Sequence, residues 1–392
     1  MSDRVARPSE ALPVTKGALP DISDGPDVTD GDEQVQAGGV PDHGVPTGVV
    51  EVTVPSADTP ASAEPTAAPA EPGALVDLPI NPIPPNAHPG MLRTPDGIRL
   101  RYARFEPDTR PSRGTVLVLS GRAESIEKYF ETIRDLQRRD FHVLAFDWRG
   151  QGRSDRLTRD PVLGHVETFD DYVIDLETVM REIMLPDCRA PFFLLAHSMG
   201  ALVALMAGPR VNGRFRRMVL SAPLLAFGSS LPVPQRWIAA FAGTLSVLGL
   251  GRLHATGRRR VAAWPFIGNL LTSDQERHSR WQATIEAVPS LTLGGPSFGW
   301  LHAACRAMKR AREPSLMAAQ TVPALFVSPT GDTLIDSEVT ERYAGALRTG
   351  AYLPIPGARH EILLERDRFR DPFWSAFDAF VPGTDPFQQE RL

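Results

Sequence analysis

The chain has almost no cysteine. Two thiols in 392 residues, Cys188 and Cys305, make neither a disulfide framework nor a zinc site. Long apolar runs are missing too: nothing approaches the roughly 18 residues of a membrane-spanning helix. The longest largely apolar stretch, Trp237 to Leu250, is interrupted by Gly243, Thr244, Ser246 and Gly249. Met1 to Pro20 holds no apolar core of signal-peptide length, and its charges are of both signs. The expected setting is therefore cytoplasmic, with at most peripheral contact at the inner membrane. The most uneven shortage is aromatic. Residues 1–88 contain no Phe, Trp or Tyr; all 29 aromatics lie from Tyr102 onward. The same segment holds 14 acidic against 3 basic residues, a balance of −11, which leaves +6 for the rest of a chain whose total is −5. Fifteen of the 37 prolines also fall there, before Asn86. Such a segment buries too little apolar surface to offset its ordering entropy, so residues 1–88 are expected to form a disordered tail.

From Gly97 the pattern changes. Ile98 to Phe105 alternates like a half-exposed strand. Thr115–Ser120, His142–Asp147, the run from Phe192 into the turn at Ala196, and Met218–Ala222 are short and apolar, with helix-spaced segments over Ile126–Arg139 and Phe169–Ile183 between them. Uniformly apolar strands alternating with helices predict a mostly parallel α/β sheet flanked by helices on both faces. The alternation stops at Pro223 and resumes with the strand Pro323–Ser328, an interval far longer than a loop. Its aromatics (Trp237, Phe241, Trp264, Phe266, Trp281, Phe298 and Trp300) sit in helix-compatible segments, and it carries 11 Lys/Arg against 4 Asp/Glu. The expected organisation is a core of residues 89–222 and 321–392 with an inserted helical cap at 223–320. A helix over Asp336–Leu347, a strand over Ala351–Ile355 and a final helix around Glu361–Phe380 complete the core.

The stretch Phe192–Ala201 carries the chemistry. An apolar strand ends in Ala196-His197-Ser198-Met199-Gly200, and a helix follows at once. Strand, sharp turn and helix form the context of a nucleophile elbow, where the residues two before and two after the serine must be small. Taken alone, Ser198 also fits a plain helix N-cap. A serine needs a base to become a nucleophile, and the base needs a partner that fixes its tautomer. In such a sheet both follow the serine, acid then histidine, on loops at the carboxyl ends of later strands. Asp332 lies just past one such strand and His360 past the next, whereas Asp336 reads as the N-cap of the following helix and Asp147 as structural. The backbone N–H groups of Met199 and Arg122 are the candidate oxyanion donors, with Gly121 expected to permit an unusual backbone angle.

These motifs resemble the monoacylglycerol lipase and lysophospholipase branch of the α/β-hydrolases, the bacterial lysophospholipases above all, a serine aminopeptidase-like group. The matching pieces are Ser120–Ser125, Asp147–Ser154, Ala196–Gly200, Ser328–Asp332 and Gly357–Glu361, with Leu271–Asp274 and Gly294–Leu301 in the cap interval. Two residues depart from that group: Ser120 stands where the lipases have His before the oxyanion Gly, and Ala196 replaces the first Gly of the elbow. The resemblance implies the α/β-hydrolase fold and cleavage of the carboxylic ester of a monoacyl lipid, lysophospholipid or monoacylglycerol, through an acyl-enzyme on Ser198. It implies no metal or other cofactor and no nucleic-acid partner, and it sets Gly121 and Trp300 beside the substrate. Gln235–Gly251 and the run Arg258-Arg259-Arg260 are the candidate membrane contact of the cap; the alternative is that the aromatics pack the cap and the arginines face water. A broad carboxylesterase, another capped hydrolase such as a C–C bond hydrolase, and an interaction protein on an inactive scaffold stay open as alternatives. Dehalogenases and epoxide hydrolases are disfavoured, since they place Asp where Ser198 stands.

Overall fold

A computed structural model describes residues 73–108, 111–231, 233–256 and 265–381. Within them run the strands β1 (Ala87–Arg93), β2 (Arg99–Phe105), β3 (Thr115–Leu119), β4 (His142–Phe146), β5 (Phe192–His197), β6 (Phe215–Ser221), β7 (Ala324–Pro329) and β8 (Gly350–Ile355). They form one sheet in the order β1-β2-β4-β3-β5-β6-β7-β8. The pairs β1/β2 and β2/β4 are antiparallel and the rest parallel. Helices α1 (Phe130–Gln137), α2 (Phe169–Val179), α3 (Leu185–Asp187), α4 (Met199–Met206) and α5 (Gly208–Val211) precede β6. Between β6 and β7 lie α6 (Gln235–Val247), α7 (Gln275–Ala287), α8 (Phe298–Ala311) and α9 (Pro314–Ala318); α10 (Ser337–Ala346) and α11 (Asp367–Phe380) flank β8.

The apolar strands follow from burial on both faces. In β3, Leu117 and Leu119 enter one core while Val116 and Val118 enter the other; in β5, Leu194 and Ala196 separate from Phe193 and Leu195 in the same way. The first core includes Tyr172 and Leu176 of α2, all of the apolar α4 and Trp300 and Met308 of α8; the second is closed by Phe130 and Ile133 of α1 and Phe373 and Phe377 of α11. Because β3, β5, β6, β7 and β8 are parallel, the loops that follow them leave along a single edge. The strand order reverses between β3 and β5, the crevice where open α/β sheets place their ligands.

The tail boundary needs correction. Residues 73–88 are described, and part of that segment docks on the core through polar groups. Val76 N–H donates to Glu127 Oε1 (3.2 Å) and Asn81 Nδ2 to the Glu127 carbonyl (3.0 Å). The Ala74 carbonyl accepts from Arg101 and Arg153. Aliphatic contacts join these bonds, Val76 with Trp281, Ile285 and Leu291, and Leu75, Ile83 and Ala87 on the second core. Aromatic scarcity does not register an attachment made by aliphatic side chains and by a buried Arg101 sandwiched between Glu127 and Asp147 at 2.6 Å each. Strand β1 also begins inside the expected tail, at Ala87. Its Pro89 is tolerated because β1 is an edge strand with β2 as its one neighbour. Residues 1–72, the Arg258–Arg260 run and Trp264 lie outside the described residues. No described helix is long and apolar enough to cross a membrane.

Candidate active site

Ser198 follows the last residue of β5 and adopts φ +48° and ψ −112°, a strained turn for a residue with a side chain. Three backbone hydrogen bonds pin it: its N–H to the Ser221 carbonyl (3.0 Å), and its carbonyl to the N–H groups of Leu202 and Leu224 (3.2 Å each). The side chain makes no capping bond to α4, so the N-cap reading of this serine fails. Close approach of α4 to β3 explains the small residues. A Cβ on Gly200 would stand 2.6 Å from the Ser120 carbonyl oxygen and 2.7 Å from that of Leu119. Ala196 is wholly buried, so the methyl that departs from the usual elbow is absorbed by the core.

The loops after β7 and β8 bring an acid and a base to this serine. His360 Nε2 lies 3.1 Å from Ser198 Oγ, and its Nδ1 lies 2.6 Å from Asp332 Oδ2. The other carboxylate oxygen of Asp332 accepts from the N–H groups of Leu334 (2.7 Å) and Ile335 (3.3 Å), which fixes its orientation. Asp336 caps α10 by accepting from Val339 N–H (3.1 Å). Ser198 and His360 are 8% and 7% exposed, so a charge on either would be only weakly screened by water. Burial works against a charge on His360, yet Asp332, its hydrogen bond, Glu361 and Glu124 together hold the imidazole above its ordinary value.

The loop after β3 lies against the elbow. Trp148 Nε1 donates to the Ser120 carbonyl (2.9 Å), Gly121 N–H to Glu124 Oε2, and Ala123 N–H to Gln151 Oε1 (2.5 Å). The peptides on both sides of Arg122 are thus engaged, and among the described residues neither the Arg122 nor the Met199 N–H has an acceptor. Gly121 serves this loop differently from the expectation. Its φ is ordinary; the left-handed residue is Ala123, at φ +61°. What Gly121 provides is space, since a Cβ there would come within 2.9 Å of both the Glu124 carboxylate and the His197 ring. Arg122 turns its guanidinium to the Gly294 carbonyl (2.6 Å) and over the Trp300 ring (5.4 Å). Trp300 is a core residue, packed against Phe169 beneath that guanidinium.

The interval between β6 and β7 reaches this edge at several points, these three among them. Thr292 Oγ1 donates to the Ala123 carbonyl (2.9 Å), Gly294 receives Arg122, and the Leu271 carbonyl accepts from Glu361 N–H (2.8 Å). Glu124, His197 and Glu361, which the motifs carried without a role, also gather here with Lys128 and Tyr129, all buried. A visible signal for part of this set is the Glu124–Lys128 spacing of four residues directly after the Gly121 turn. A separate cavity of about 360 Å³, lined by Arg104, His142, Cys188 and Arg189 among others, opens at the opposite ends of the strands. Burial pushes its Cys188 thiol up to about 11, which removes it as a nucleophile at neutral pH.

Comparison with known proteins agrees with this architecture. The chain is 34% identical over 288 residues to lysophospholipase L2 of Escherichia coli (strain K12), covering 70% of this chain and 82% of that protein. It is 28% identical over 285 residues to a probable lysophospholipase L2 of Haemophilus influenzae, covering 72% and 88%. A soluble variant of the Saccharomyces cerevisiae monoglyceride lipase shares the fold, with a TM-score of 0.60 at 20% identity over 76% of this chain and 97% of that one. Residues 110–367 match the family model described as serine aminopeptidase, S33. With that match spanning more than half its length, the chain belongs to the serine aminopeptidase S33 family of the α/β-hydrolases, and is a hydrolase.

Proposed function

We propose that this hydrolase cleaves the carboxylic ester of a monoacyl lipid, a lysophospholipid or a monoacylglycerol, through an acyl-enzyme on Ser198. The observation that carries the reading is the continuous chain from Ser198 Oγ through His360 to Asp332, at 3.1 and 2.6 Å. Ser198 attacks the ester carbonyl while His360 Nε2 takes its proton, and Asp332 holds the Nδ1–H and offsets the imidazolium charge. The Arg122 and Met199 N–H groups receive the oxyanion. His360 returns the proton to the departing alcohol, then takes one from the water that opens the acyl-enzyme, restoring Ser198 and releasing the fatty acid.

The substrate class rests on the lysophospholipase relatives and on the apolar helices between β6 and β7, which act in this reading as a cap. Trp237 and Phe241, four residues apart on α6, are 59% and 61% exposed, with Val247 and Leu248 bare at its end. That face makes peripheral contact with a lipid surface from which the substrate is drawn. A panel of lysophospholipids, monoacylglycerols and short p-nitrophenyl esters tests the assignment. Turnover is expected on the monoacyl lipids. Lipids left inert while short esters are cleaved would replace this reading with a broad carboxylesterase.

A further inference from the structure

Glu124 sits where three elements meet behind the reacting groups, and nothing in the serine, histidine and aspartate chain uses it. Its Oε2 accepts from Gly121 N–H and from the Tyr129 hydroxyl (2.6 Å), and its Oε1 accepts from Lys128 Nζ (2.9 Å). Lys128 also donates to Glu361, the residue after His360, and lies 5.7 Å from the Trp281 ring of α7. On the remaining side His197 Nε2 stands 3.6 Å from Glu124 Oε1, and the His197 ring is tilted against that of His360 at 4.8 Å. The void among these groups is about 10 Å³, the lower limit for one water, so the charges answer chiefly to one another.

We propose that Glu124 is a positioning residue for the ester hydrolysis assigned above: it clamps the Gly121 peptide so that the next N–H, that of Arg122, is set for the oxyanion, and its charge backs the imidazolium of His360. A buried carboxylate is a costly way to hold one turn; a neutral acceptor would suffice if shape alone mattered. The electrostatics fit the assignment. Burial acts to raise the Glu124 carboxyl, but Lys128, His197 and Tyr129 hold it at about 2, so it is ionised wherever the enzyme works. Burial, opposed by Glu124, drives the other imidazole the other way: His197 falls to about 4 and stays neutral. The charged and titratable groups facing His360 are then Asp332, Glu361, Glu124, Lys128 and His197; burial raises the Glu361 carboxyl and Lys128 acts to lower it.

The inference rests on the proposed function, and its test separates the two. Steady-state kinetics on a soluble ester are run with wild type, Glu124→Ala and Glu124→Gln, alongside affinities for a trifluoromethyl ketone, which forms an oxyanion on the serine, and for a non-hydrolysable ether analogue of the substrate. A wild type that neither turns over ester nor binds the ketone defeats the functional reading before any variant is considered. With that reading intact, Glu124→Ala should lose roughly 100-fold in kcat and in ketone affinity while the ether binds within roughly twofold of wild type. Glu124→Gln keeps an acceptor for Gly121, so it should retain most of kcat but shift the acid limb of kcat/KM to lower pH, as the negative charge near His360 is removed. An alanine variant with near wild-type kcat, or one that loses ketone and ether affinity equally, overturns the positioning role. Should the alanine variant fail to fold, an unmoved acid limb in Glu124→Gln overturns it.

Discussion

At Ser198 the backbone holds a strained pair of angles at a cost of about 1–3 kcal/mol, and three hydrogen bonds to its own peptide groups keep the strain in place. The strain lifts the hydroxyl off the helix, where it would otherwise cap α4, and turns it to His360. The imidazole is tuned by its neighbours. Burial lowers its proton affinity, and Asp332, Glu361 and Glu124 more than restore it, which holds His360 above the ordinary imidazole value. A base must be neutral to accept the serine proton. The kcat/KM profile is therefore expected to fall on the acid side with an apparent pKa above that of an ordinary imidazole, and an acid limb at or below the ordinary value would show that the carboxylates around His360 do not act on it. The resemblance and the order of the motifs made Ser198, Asp332 and His360 legible before any coordinates. Glu124 and His197 stood in the same motifs without a role, because the cluster that gives them one is assembled from separate strand ends: His197 meets Glu124 from the end of β5, and Glu361 joins through Lys128 across 233 residues of chain. Pattern along the chain does not report such a meeting.

At the scale of elements, the parallel strands were readable because burial on both faces makes them uniformly apolar, and β3, β5 and β7 fall within a residue or two of the expected spans. Strand β1 was not readable: Ala87–Arg93 contains Pro and Gly and gains its ladder from β2 alone. The loop after β3 was assigned for a reason that the geometry corrects. Gly121 is needed for closeness and Ala123 takes the left-handed angle, a distinction that depends on what packs against the turn. Closeness also governs α4. Its second residue, Gly200, faces backbone oxygens of β3 that cannot move aside as a side chain would. Gly200→Ala is expected to destabilise the fold by about 1–3 kcal/mol or more through overpacking, read as a lower urea midpoint with unchanged slope. A midpoint equal to wild type would mean that α4 is free to retreat from the sheet.

For the molecule as a whole, the sheet brings the loops after its parallel strands to one edge, and the segment between β6 and β7 touches several of them, those after β3, β7 and β8 included. The helices of that segment were expected from aromatic content, but their two faces were not separable by sequence. Trp281 and Trp300 are buried while Trp237 and Phe241 are bare, and composition alone does not distinguish packing from display. If the bare face of α6 meets lipid, Trp237→Ser together with Phe241→Ser should reduce sedimentation with anionic phospholipid vesicles and leave turnover of a soluble ester intact. The stability cost should be small, since exposed positions change folding by about 0.5 kcal/mol or less. Equal sedimentation by the variant and the wild type would remove the membrane contact from the account.

The claim that Ser198, driven by His360, forms the covalent intermediate is tested most directly by intact-mass spectrometry after treatment with a fluorophosphonate. The prediction is a single phosphonylated species mapping to the Ser198 peptide, absent in Ser198→Ala and formed far more slowly in His360→Ala. An unmodified wild type, or an adduct at another residue that persists in Ser198→Ala, would contradict it.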